Sequence, residues 1–173
     1  MRLQGLSVNM LAASPQQDEF MRPIHPVLVH FPIALLALSV AADLGAFFTD
    51  IESLRATGWW SLAGAALGAI AAVLAGIFDM RRADLKEEVH ERVHRHMKVG
   101  FALLAVIVGL TIWRWTVFRQ PGLAVSAIYL DCAILAMALA AFQGWLGGEL
   151  VYKHGVFVSA SAPPEKNPGN HHH

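Results

Sequence analysis

VLVHFPIALLALSVAADLGAFF, residues 27–48, decides the fold. The run holds one carboxylate, Asp43, one imidazole, His30, and neither Lys nor Arg. About 20 apolar residues in a helix are enough to cross a hydrocarbon core of roughly 30 Å. A helix also satisfies its own backbone hydrogen bonds in lipid. Three further runs repeat the pattern, at residues 58–78, 99–118 and 123–146. Composition agrees: 55% of the 173 residues are hydrophobic and only 15% are charged, where a soluble domain carries about a quarter. The links at residues 49–57 and 119–122 are short, so each joins an antiparallel hairpin. The expected architecture is all-α, an integral membrane up-down four-helix bundle.

Residues 21–158 form the expected transmembrane domain. Residues 1–20 are polar and lack the apolar core of a signal peptide, so they read as a flexible extension. Residues 159–173 are rich in Pro, Ser, Asn and Gly and read as a disordered tail. His171, His172 and His173 end that tail and are set aside as a tag-like terminus. The longer link, residues 79–98, is expected to be helical. Zero formal net charge gives no reason to expect a nucleic-acid partner. A lone cysteine, Cys132, excludes an internal disulfide, a thiolate zinc cluster or an iron–sulfur site within one chain.

Basic residues are lopsided on this topology. Arg2, Arg22, Arg81, Arg82, Lys86, Arg92, Arg95, Lys98, Lys153 and Lys166 fall on one side, and Arg55, Arg114 and Arg119 on the other. The positive-inside rule then puts both termini in the cytoplasm.

Histidine is more lopsided still. His25 and His30 open the first span, His90, His94 and His96 precede the third, and His154 follows the fourth. All six share the basic side, together with Asp79 and Glu149. Neutral imidazole is a ligand for metals and for haem iron, and in bundles such ligands project inward from facing helices. His30 and His96 lie at similar depth on different helices and are the preferred axial pair for a b-type haem, with His25 and His94 as substitutes. A chain with no histidine on the opposite side has no second haem to carry electrons across the bilayer.

His90-Glu91-Arg92-Val93-His94 matches the zinc-peptidase pattern H-E-x-x-H, in which two imidazoles one turn apart hold zinc and the glutamate is the general base. The third ligand would have to come from Asp79, Glu149 or His154, and Arg92 and Arg95 add positive charge beside the metal. Passive binding of zinc or another divalent metal, with Asp79 and His154 assisting, is the milder reading. On the other side, Asp43, Arg114 and Asp131 lie at similar depth and are expected to form an ion-pair clamp, because unpaired charges there are costly. Gly64 with Gly68, and Gly144 with Gly148, have the spacing that lets helices approach closely. Pro32 removes a backbone donor early in the first span.

Two stretches, IHPVLVHFPIALL at residues 24–36 and GWLGGELVYKHGV at residues 144–156, are distinctive. Together they resemble the bacterial membrane family catalogued as domain of unknown function number 2231. The resemblance covers about residues 21–158 and implies four membrane helices, with a histidine opening the third that His96 matches best. It also implies a bacterial inner-membrane location. Relatives joined to Rieske-type or cytochrome-type domains make redox work the implied setting. The one-sided histidines would then pass electrons to a quinone or a redox partner protein, and a homo-oligomer is a further expectation. The HERVH stretch is not a feature of that family. The leading expectation is a haem-binding or redox-accessory membrane protein that is not an enzyme on its own. The alternative is a non-catalytic bundle binding a divalent metal or a partner subunit.

Overall fold

The computed structural model describes residues 23–82, 87–119 and 125–156, with the side chains of residues 88 and 117 left aside. The expected extension and tail lie outside these residues. The elements are a short helix α1 (His25–Leu28) and four long ones: α2 (His30–Thr49), α3 (Glu52–Arg82), α4 (Glu87–Phe118) and α5 (Ala127–Tyr152). There are no strands among the described residues. Four spans, His25–Thr49, Glu52–Arg82, Val89–Thr116 and Ala127–Tyr152, are long and apolar enough to cross a membrane.

Three of the long helices run on past their apolar runs, α3 at both ends, α4 at its start and α5 at its end. Glu52–Thr57 and Asp79–Arg82 extend α3, and the charged stretch from Glu87 extends α4 upstream of Val99. The predicted helix in the longer link is therefore mostly the start of α4. Two stops are local. Asp50 takes the left-handed conformation (φ 57°) and its N–H closes on the Ala46 carbonyl, a conformation that Asp tolerates better than most residues. Ser126 caps α5 through its side chain, which accepts from the Tyr129 N–H at 3.3 Å.

The break at Val29 has a cause in Pro32. Proline has no N–H to offer the Leu28 carbonyl one turn earlier, and α1 ends at Leu28 before α2 resumes at His30. Pro32 itself is buried. A Cβ on Gly68 would lie 3.2 Å from its Cδ, and one on Gly64 would lie 3.1 Å from Leu35 Cδ1. These two glycines therefore let α2 and α3 pack tightly, as their spacing predicts. Gly144 and Gly148 meet no neighbouring helix. They border a cavity instead, so for that pair the close-approach reading is corrected.

Sequential helices pack in order and α5 closes back on α2, while the diagonal pairs α2/α4 and α3/α5 stay apart. This is the up-down ring. Its core is built from small side chains, including Ala65, Ala69, Ala133 and Ala136, around Leu36, Leu62 and Ile107. No more than a third of the most apolar window of any span is buried inside the bundle. Phe31, Trp60, Leu67, Leu74, Leu135 and Trp145 all point outward. In water such a surface would be untenable, and it is the surface a bilayer covers.

Candidate functional site: an imidazole pair across the bundle axis

The histidine end is organised by α1. Its first backbone N–H, from His25, donates to Asp79 Oδ2 of α3 at 2.8 Å, so a buried carboxylate caps the short helix where its dipole favours negative charge. The His25 ring then reaches the Ala72 carbonyl, with Nδ1 at 2.7 Å from the oxygen. A carbonyl only accepts, so Nδ1 carries the proton and, in the neutral ring, Nε2 keeps a free lone pair. Gly76 makes the approach feasible, since a Cβ there would lie 3.1 Å from Nδ1.

His96 of α4 faces His25 from the diagonal helix. Their ring centroids are 6.1 Å apart and their planes meet at 88°. Gln143 of α5 holds the His96 end, donating to the His96 carbonyl at 3.0 Å and lying 3.2 Å from its ring Nε2. The amide's two hydrogens serve both acceptors, which leaves the His96 proton on Nδ1. That Nδ1 and Gln143 Oε1 are buried with no hydrogen-bond partner. The polar groups of this site are thus incompletely satisfied by the protein, unusual for buried atoms. A Cβ on Gly147 would lie 3.2 Å from His96 Cε1. Around the pair is a cavity of about 440 Å³, with His25, His96, Gln143 and Asp79 among otherwise mainly apolar walls such as Ile33, Ile77, Phe101 and Leu104. That volume is in the range of small-molecule and cofactor sites.

The remaining sequence candidates fall elsewhere. His30 borders the cavity but is exposed. Five residues of helix turn it about 140° from His25, so both rings cannot face the axis, and His25 takes the place expected for His30. His94 is exposed and lies about 200° round α4 from His96, which removes it as an alternative ligand beside His25. His90 and His94 face each other, Nε2 to Nε2, at 3.0 Å. No third His, Cys, Asp or Glu completes a metal-ligating group among the described residues. Glu149 is engaged by Lys153 at 2.9 Å and Arg92 at 3.6 Å. His154 is half-buried, and its Nε2 has no hydrogen-bond partner.

At the other end, Arg114 and Asp43 form a fully buried pair. Nη2 lies 2.8 Å from Oδ1 and Nε lies 3.4 Å from Oδ2. Nη2 also donates to the Arg55 carbonyl at 3.1 Å, and Tyr129 Oη donates to Asp43 Oδ2 at 3.2 Å. All four long helices meet here. Asp131 does not join them: it is exposed, two residues and about 200° round α5 from Tyr129, and Tyr129 fills the place expected for it. A ring of Trp59, Trp115 and Phe118 packs nearby, the kind of aromatic girdle found at membrane interfaces.

Gln143 and Tyr129 are the residues the sequence reading missed. Gln143 carried a usable signal, as the lone amide within the fourth apolar run, since intramembrane polar groups are functional by default. Tyr129 carried none, because its partner is set only by packing.

A family model described as "Predicted membrane protein (DUF2231)" matches residues 21–160, and the chain belongs to that family. No curated protein and no solved structure matches the chain.

Proposed function

We propose that this member of the family holds one b-type haem at the histidine end, with His25 and His96 as the axial ligands. The observation that carries the reading is the imidazole pair from diagonal helices, 6.1 Å between ring centroids. Metal–imidazole bonds of about 2.0–2.1 Å on opposite sides of one ion put the two ring centroids about 6 Å apart. His25 has the tautomer a ligand needs, with Nδ1–H on a backbone carbonyl and Nε2 bare, an arrangement that fixes ring orientation and raises ligand basicity. His96 would present Nε2 once Gln143 releases that nitrogen and keeps its bond to the carbonyl, while its Nδ1 lacks the acceptor that His25 has. The apolar walls would exclude water from the site.

A haem there would supply one-electron transfer. With the imidazoles on one side only, electrons stay at that end unless a lipid-borne quinone or a partner subunit takes them further. The charge bias would make that end cytoplasmic, in a bacterial inner membrane.

The test is the absorption spectrum of protein purified in detergent from haem-replete cells. A Soret band is expected, lost in His25→Ala and in His96→Ala and kept in His30→Ala. A colourless protein, or a band indifferent to both ligand substitutions, rejects the reading.

A further inference from the structure

The first turns of α4 carry a second pair of imidazoles that the haem reading leaves unused. His90 and His94 are both exposed, with ring centroids 4.6 Å apart and Nε2 atoms separated by 3.0 Å. Without an ion, that distance is a single N–H···N hydrogen bond in which one ring supplies the proton. With an ion, both lone pairs can point at the same centre.

The separation is compatible with chelation. For metal–nitrogen bonds of about 2.05 Å, nitrogens 3.0 Å apart subtend roughly 95° at the ion, whereas a tetrahedral angle would need about 3.3 Å. An angle near 90° is the cis angle of square-planar, tetragonal and octahedral ions. Zinc, usually tetrahedral at protein sites, needs the nitrogens only about 0.3 Å further apart, as in the H-E-x-x-H pattern. Two imidazoles with otherwise open positions suit copper(II) best, which also stands highest in the affinity order of divalent first-row metals.

Charges of both signs flank the pair on α4, where exposed Lys98 and Arg95 lie about 40° and 100° round the helix from His94. Arg92 lies on the far side of the helix, within 3.6 Å of Glu149 on α5, about 160° or more from either imidazole of the pair. Glu87 and Glu91 lie about 20–100° from them and are exposed. His90 and His94 are exposed and lie about 120° and 160° round α4 from His96, so the two sites are separate.

We propose that His90 and His94 form a cis-chelating site for a divalent ion of tetragonal preference, copper(II) above the others. Solution ligands complete the coordination, since no third protein ligand stands beside the pair among the described residues. The site binds an ion without performing hydrolysis.

Copper(II) chloride titrated into the detergent-purified chain, with His171, His172 and His173 changed to Ala, tests this by electron paramagnetic resonance. The expected result is an axial, tetragonal spectrum with two imidazole nitrogens on one saturable ion per chain. His90→Ala and His94→Ala are each expected to weaken binding, by at least the roughly tenfold that losing even an outer-shell partner costs, while leaving helix content unchanged, because both rings are exposed. No saturable site, a spectrum with one imidazole nitrogen, or binding unaltered in both variants overturns the proposal.

Discussion

Arg114→Met isolates the bundle's one fully buried ion pair among the described residues. The parent Arg114 and Asp43 side chains are 2% and 1% exposed. Removing the guanidinium strips Asp43 of contacts at 2.8 and 3.4 Å and leaves it the Tyr129 hydroxyl at 3.2 Å. Breaking a buried pair from one side costs about 3–5 kcal/mol, because the remaining charge is uncompensated. Removing both charges costs far less, since replacing a buried pair by well-packed neutral groups is often near neutral. Asp43→Asn with Arg114→Met keeps the shape and the Tyr129 contact, and is expected to recover more than half of the loss. Unfolding in detergent, followed by helical circular dichroism across a denaturant series, gives the four corners of the cycle. An Arg114→Met loss below about 1 kcal/mol, or a double variant no more stable than the single, refutes the claim that these charges depend on each other.

Other outcomes follow from contacts at named positions. Gly58→Ala would set a Cβ 2.6 Å from Asp43 Cγ, and overpacking of this kind should cost about 1–3 kcal/mol in the same unfolding assay. Gly76→Val would push the His25 ring from the Ala72 carbonyl and is expected to lower haem content per chain while the bundle stays folded, read from absorbance and circular dichroism together. Asp79→Ala removes the cap on α1 and should cost about 1 kcal/mol; an unchanged unfolding midpoint would show that the cap contributes nothing. With Cys132 changed to Ala, a cysteine placed at Thr49 and one placed at Arg82 should label from opposite sides of the membrane, the Arg82 position from the cytoplasm.

The four spans were legible because about 20 uninterrupted apolar residues have few homes outside a bilayer. Their ends were not, since helices run on through polar residues such as Glu52 and Glu87 once they leave the apolar stretch. The gathering of histidines at one end was equally readable from topology. Which rings meet was not. Five residues of helix separate His25, turned inward, from His30, left outside. Two residues along a helix likewise decide His96 against His94 and Tyr129 against Asp131. Such rotations are fixed by packing among small residues, including Gly64 against Leu35 and Gly147 against His96, and no single stretch of sequence records them.

The proposed haem would have imidazoles from diagonal helices share one iron. Low-temperature electron paramagnetic resonance of the ferric, haem-loaded protein reads the axial ligands directly. A low-spin, bis-imidazole spectrum is expected in the parent, becoming high-spin when His96 is changed to Ala. A high-spin parent, or a low-spin spectrum that survives the loss of His96, would contradict it.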